Sequence, residues 1–184
     1  MFLSELQTII QKGYEMQRIG EFEKVSFEQF YGAMKSEFGI GETEAKMMYD
    51  LIELPTRATA GSAGYDFRTP ISFELAPGAS VKIPTGIRVK IDDGWWLCCA
   101  PRSGLGTKYR MQLDNTIGII DSDYYGADNE GHIFAKVTND GHESKVIEIK
   151  AGDRFMQGIF VPYGITYSDS ADGVRNSGWG STGK

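Results

Sequence analysis

Cysteine and histidine are scarce in this 184-residue chain, with two of each. The cysteines, Cys98 and Cys99, are adjacent in what reads as a strand, where neighbouring side chains point to opposite faces. A mutual disulfide is therefore not expected, and neither is a zinc centre built on such a small ligand inventory. Both are expected to be reduced, in a cytoplasmic protein. No apolar run approaches membrane-spanning length, so no membrane role is expected. Phe2 and Leu3 are followed at once by Glu5 and Gln7, which does not fit a secretory signal. Positive charge is also short. Nineteen Lys and Arg against 25 Asp and Glu give a net charge of -6, a poor match to a nucleic-acid polymer. A single nucleotide is not excluded, because a few cations and backbone amides suffice to hold one.

The composition is otherwise that of a globular chain, with 41% hydrophobic and 24% charged residues. Its character changes near residue 54. Residues 1–53 read as a helical N-terminal extension. Leu3, Leu6, Ile9 and Ile10 repeat at helical spacing after Ser4. Ser26 and Gln29 form a capping-box pattern ahead of a face made by Phe27, Phe30, Tyr31, Met34 and Phe38, which Gly39 and Gly41 close. A third helix is expected from Thr43 to about Leu51. Acidic residues outnumber basic ones in this extension. A packing role or a protein partner is its expected use, not nucleic acid.

Residues 54–167 read as β. Val81 and Ile83, then Ile87, Val89 and Ile91, alternate with polar residues. Asp92-Asp93-Gly94 and Asn139-Asp140-Gly141 mark expected hairpins. A further strand is expected over 156–161. Short strands at this spacing imply an all-β barrel or jelly roll. Residues 168–184 are rich in Gly, Ser, Asp and Asn and read as a flexible C-terminal arm.

Five short segments stand out, and each alone also has a bland reading, as a turn, a strand end or, for the last, a plain tail. Ala60-Gly61-Ser62-Ala63-Gly64-Tyr65-Asp66 places a carboxylate at the start of a strand. Pro101-Arg102-Ser103-Gly104-Leu105-Gly106 combines a cation, a hydroxyl and glycines that let backbone amides close on a phosphate. Asn115-Thr116-Ile117-Gly118-Ile119-Ile120-Asp121-Ser122-Asp123-Tyr124 runs an apolar strand into an aspartate able to orient water, with a tyrosine able to lie flat on a sugar. Gly152-Asp153-Arg154 precedes Gln157 on the next strand. Finally, Arg175-Asn176-Ser177-Gly178-Trp179-Gly180-Ser181-Thr182-Gly183 offers a phosphate-wrapping loop and an aromatic face for a base.

In this order, along a β-rich chain, the five segments resemble the five motifs of the trimeric dUTPase family, from about Leu54 to Gly183. The resemblance implies a distorted jelly-roll subunit in a homotrimer with shared active sites, each closed by the C-terminal arm of another subunit. It implies hydrolysis of dUTP to dUMP and pyrophosphate. Asp121 would be the general base, and Arg102, Ser103, Gly104 and Gln157 would hold phosphates or the attacking water. Asn115, Gly118 and Ile120 would read uracil, and Tyr124 would pack on the deoxyribose. Arg175, Trp179, Gly180, Ser181 and Thr182 would close over triphosphate and base. The cofactor implied is Mg²⁺, with Asp66 acting through a metal-bound water. The chain departs from the pattern in a fifth segment one residue shorter than usual, with Trp179 in place of phenylalanine. Extra residues at 127–130 imply a longer loop.

Two other readings compete. A dCTP deaminase shares this fold and resembles the chain at Gly131-His132-Ile133, but the glutamate that its chemistry needs is missing from Phe134-Ala135-Lys136-Val137. A non-catalytic interaction protein would use the N-terminal extension as its working surface.

Overall fold

A computed structural model describes residues 16–175. The helix expected over the first ten residues, and Trp179, Gly180, Ser181 and Thr182 of the arm, lie outside the described residues.

The described chain opens with a strand, β1 (Gly20–Lys24), where a helical segment was expected. It pairs antiparallel with β6 (Ile87–Ile91), Phe22 standing opposite Val89. Its sequence, GEFEK, carries one large apolar residue. Phe22 is buried in the main core, 5.2 Å from Tyr65, 5.6 Å from Phe67 and 5.8 Å from Phe160 between ring centroids. One aromatic inserted among three others outweighs the polar flanks that hide the strand from a periodicity search.

Two helices follow, as the capping signals predict. In α1 (Phe27–Phe38) the Ser26 Oγ accepts the N–H of Gln29 at 3.1 Å, and Gly39 ends the helix in the left-handed conformation. Phe30 and Met34 are its buried residues, packed with Val25 and Ile71. Phe38, at the end of the expected face, is exposed. The second helix, α2 (Glu42–Leu51), buries only Ala45.

The β region comprises β2 (Thr56–Arg57), β3 (Tyr65–Arg68), β4 (Phe73–Leu75), β5 (Ser80–Pro84), β6, β7 (Trp95–Pro101), β8 (Met111–Leu113), β9 (Gly118–Asp121), β10 (Phe134–Asn139), β11 (Ile147–Ile149) and β12 (Arg154–Pro162). A short helix, α3 (Ser103–Tyr109), and a 3-10 turn (Ser122–Gly126) interrupt them. The largest sheet runs β2-β3-β12-β7-β9; β5-β10-β8, β11-β4 and β1-β6 complete the set, every pairing antiparallel. The barrel interior holds Phe67, Ile83, Leu97, Ile133, Val137, Ile147 and Phe155, all essentially buried.

Neither expected hairpin forms. The turn at Asp92-Asp93-Gly94 leads from β6, which pairs with β1, into β7, which pairs with β12 and β9. The turn after Asn139 leads from β10, between β5 and β8, to β11 beside β4. Both turns pass the chain from one sheet to another. A turn signal fixes a reversal but not the partner, and here distant strands offer the longer complementary edges.

Candidate active site

The sequence-predicted residues gather into two groups. The first surrounds Asp66, on β3. Its carboxylate lies 3.0 Å from Arg102 Nε and, on the other oxygen, 3.0 Å from Arg154 Nη1. Its side chain keeps 11% of its accessible surface. Gln157 stands between Asp66 on β3 and Ala100 on β7 in the same sheet. Gly64 is pressed against it: a Cβ there would stand 2.5 Å from Gln157 Oε1. Arg102 immediately precedes α3, whose first residues, Ser103 and Gly104, are exposed. The first N–H groups of a helix lack intrahelical partners, so they are free for an anion. Two guanidiniums, a hydroxyl, a carboxamide and one carboxylate thus share one face, with an excess of positive charge. Arg154 was not singled out from the sequence. It opens β12, the strand of Gln157, and the Gly152-Asp153 turn immediately before it was the signal available in the sequence.

The second group runs along β9, from the turn before it to the residues after it. Asn115 and Thr116 form a tight turn between β8 and β9, with Thr116 at φ 69° and a single bridge from Leu113 to Thr116. Asn115 and Gly118 line a narrow cleft with Phe134 and Lys136. A side chain at 118 would meet Cys99 Cβ at 3.0 Å, so glycine keeps the two strands in register. Ile120 is buried and lines the same cleft. Asp121 ends β9 with a half-exposed carboxylate.

Tyr124, in the 3-10 turn, is 4% exposed. Its hydroxyl donates to the His132 carbonyl at 2.8 Å and accepts from Asn129 Nδ2 at 2.8 Å. Burial raises its phenol pKa, so the hydroxyl stays protonated and donating, although Asn129 and Arg175 pull the other way. The ring does not stand open. The Arg175 guanidinium lies over it, 5.7 Å from the centroid. Arg175 Nη2 also donates to Asp121 Oδ2 at 2.6 Å. Its Nε lies 2.9 Å from Asp123 Oδ1 but is directed away from it, which makes that contact an ion pair and not a hydrogen bond. As far as the arm is described, it therefore lies on its own chain's Asp121.

Within one chain Asp121 does not reach the first group, although Gly118, opposite Cys99, lies one residue along β7 from Ala100. Across β7, Gln157 faces Ala100 and Asp121 faces Trp96. Four residues of strand separate these positions, about 13 Å at roughly 3.3 Å per residue. Among the described residues no group of three or more His, Cys, Asp or Glu side chains could hold a metal ion. No described helix is long and apolar enough to cross a membrane.

The family model for dUTPase matches residues 50–183, nearly three quarters of the chain. This chain belongs to the dUTPase family. Its relatives include the deoxyuridine 5'-triphosphate nucleotidohydrolase of Lactococcus lactis, 39% identical over 135 residues, covering 72% of this chain and 89% of that one. The Klebsiella pneumoniae enzyme of the same name is 40% identical over 139 residues, covering 71% and 87%. Among solved structures, the Streptococcus mutans dUTPase superposes with a TM-score of 0.58 at 32% identity, over 79% of this chain and 97% of that one. The Staphylococcus bacteriophage 80alpha dUTPase, at 18% identity and a TM-score of 0.58, shares the fold. The enzyme hydrolyses dUTP to dUMP and pyrophosphate. The family match starts at residue 50, so β1, α1 and most of α2 lie outside it.

Proposed function

We propose that Asp121 orients and deprotonates the water that attacks the α-phosphorus of dUTP, in sites shared among the subunits of a homotrimer. The new bond joins the water oxygen to the α-phosphorus. The bond broken joins that phosphorus to the bridging oxygen, and pyrophosphate leaves with the electron pair. No covalent enzyme intermediate is needed, so catalysis is positioning and charge neutralisation.

The observation that carries this reading is the separation of Asp121 from Gln157 along β7. A phosphate face without a base, and a base without a phosphate face, become one site only when one subunit presents Asp121 to another's Arg102 and Gln157. In that site Arg102, Ser103 and Gly104 hold phosphate oxygens, and Gln157 bonds the attacking water. Asn115, Gly118 and Ile120 shape the uracil slot, with no room for a 5-methyl group. Tyr124 walls off the sugar. Arg175 exchanges its carboxylate partners for the outer phosphates as Trp179, Gly180, Ser181 and Thr182 close over the nucleotide.

The donor set fits Mg²⁺ carried on the triphosphate. A lone carboxylate, Asp66, sits among cations and no protein cage is present among the described residues. Such an ion keeps most of its waters, and Asp66 would hold it through one of them. When bound it neutralises charge on the leaving pyrophosphate. A cytoplasmic location suits its two free cysteines, Cys98 and Cys99.

Asp121→Asn should abolish turnover while dUTP still binds. Sedimentation should give three copies. Asp121→Asn subunits co-refolded with Arg102→Ala subunits should regain activity that neither has alone, because mixed trimers contain some intact sites. Two inactive variants that stay inactive when demonstrably mixed would rule out sharing.

A further inference from the structure

The N-terminal segment, outside the family match, holds the turn that carries Tyr124. Two carboxylates make the short contacts of the attachment, and Gln29 Nε2 adds a longer one, 3.4 Å from His132 Nδ1. Glu130, in the longer loop after that turn, accepts the backbone N–H of Ser26 at 2.7 Å and the Ser26 hydroxyl at 2.6 Å. Ser26 is also the N-cap of α1, so the loop is fastened to the rigid start of a helix. Glu23, on β1, accepts the Tyr125 hydroxyl at 2.9 Å and is itself held by Arg88 at 2.7 and 3.0 Å. The Arg88 guanidinium lies 4.4 Å from the centre of the Tyr125 ring.

Between these anchors the chain is tightly folded. Glu130 has φ 59°, a left-handed conformation that a residue with a Cβ adopts only when its surroundings enforce it. Gly131 follows at φ 68°, and a Cβ there would stand 2.8 Å from the Tyr124 carbonyl oxygen. Asn129 bonds the Tyr124 hydroxyl and also accepts the Gly131 N–H at 3.2 Å. The His132 carbonyl takes the Tyr124 hydroxyl, while its ring Nε2 accepts the Gly86 N–H at 2.9 Å. Both partners of the Tyr124 hydroxyl therefore flank Glu130 in the chain. A shift of Glu130 is a shift of the groups that orient the ring.

We infer that Glu130, gripped by Ser26, is a positioning residue for Tyr124, and that the N-terminal segment thereby sets how strictly the enzyme rejects a ribose. Glu23 on Tyr125 supports the same turn from its other side. The inference rests on the reading of Tyr124 as the wall against the sugar. A 2′-hydroxyl adds one oxygen, so its rejection depends on a wall that does not yield. A wall braced only through its own loop would yield. One tied to a helix N-cap and to a strand would not.

The test is steady-state kinetics on dUTP and UTP for the full-length protein and for Glu130→Ala, Glu130→Gln, Ser26→Ala, the Ser26→Ala/Glu130→Ala double variant and Tyr124→Ala. Thermal melting confirms folding of each. Glu130→Ala should reduce the dUTP-over-UTP preference about tenfold, mainly through a lower KM for UTP, with kcat for dUTP within about threefold. Glu130→Gln, which can still accept from Ser26, should recover most of it. The double variant should be no worse than Glu130→Ala, as expected of one shared contact. If Glu130→Ala does not fold, Ser26→Ala reports on the same contact, because it removes the hydroxyl and leaves the backbone N–H. Preference intact in both Glu130→Ala and Ser26→Ala, but lost in Tyr124→Ala, overturns the inference. Preference intact in Tyr124→Ala shows instead that the sugar-wall reading is wrong, and the inference falls with it.

Discussion

Gly64 and Gln157 are in such close contact that no side chain fits between them. A Cβ on residue 64 would stand 2.5 Å from Gln157 Oε1 and 3.4 Å from its Cδ. What it would strike is the tip of a flexible side chain, which can swing aside at little cost in stability. Gly64 does not need a left-handed backbone either. Gly64→Ala should therefore leave the melting temperature nearly unchanged while lowering kcat about tenfold or more, because a displaced carboxamide no longer meets the attacking water. Calorimetry and turnover on the same preparation separate the two effects. A large loss of stability, or undiminished kcat, would show that Gln157 is not held for chemistry.

A buried polar residue far from Asp121 gives the opposite pattern. Asn139 is fully buried at the end of β10. Its Nδ2 donates to the Leu75 and Lys145 carbonyls, both at 2.9 Å, and its Oδ1 accepts the Gly141 N–H at 3.1 Å. It thus ties β4, β10 and the following loop together. Asn139→Ala strands all three partners, at a cost of about 3 kcal/mol. That corresponds to a melting temperature lower by about 6–12 °C for a domain of this size. The folded fraction should keep its KM for dUTP.

These two residues also mark what was legible in the sequence. The order of the five segments was readable because each is local: a glycine, a hydroxyl and a charge within a few positions. The capping of α1 by Ser26 was readable for the same reason. Partners distant in sequence were not. Arg154 reaches Asp66 across 88 positions, and Glu130 reaches Ser26 across 104. At both places read as hairpins the strands joined belong to different sheets. The strand β1 was missed because the polar residues around Phe22 erase any periodic signal. Its partner edge on β6 becomes visible only once the barrel closes.

Acid should weaken the fold through His132. The imidazole is buried against Phe134, and its Nε2 already accepts the Gly86 N–H. Burial is the main cause that pushes its pKa down to about 3 from an ordinary 6.5; Lys82 adds to this and Glu130 opposes it. The folded ring is neutral while the unfolded ring takes up a proton below pH 6.5. Stability present above pH 6.5 is therefore lost on acidification towards pH 3, at up to ~1.4 kcal/mol per pH unit. Glu130, Glu23 and Asp114, whose pKa values are lowered, contribute in the same direction. The readout is thus the difference between the chain and His132→Gln. Urea unfolding between pH 7 and pH 4 should give the variant a shallower dependence, whatever its absolute stability. Equal slopes would assign the acid sensitivity to the carboxylates alone.

The strand β1 lies outside the family match, yet its central residue belongs to the barrel. Phe22 is 9% exposed and packs in tilted and edge-on contacts among Tyr65, Phe67 and Phe160, two of which flank Asp66 on β3. Gly20 allows this approach, since a Cβ there would stand 3.0 Å from the Phe160 ring. Phe22→Ala removes a large ring from a packed aromatic group, and the cavity left should cost about 3–5 kcal/mol. It should also loosen β3 and raise KM for dUTP, since Asp66 and its arginines rest on that strand. A deletion of residues 1–25 should reproduce both effects. A deletion that melts and turns over like the full chain would show that the barrel supports its phosphate face without the N-terminal strand.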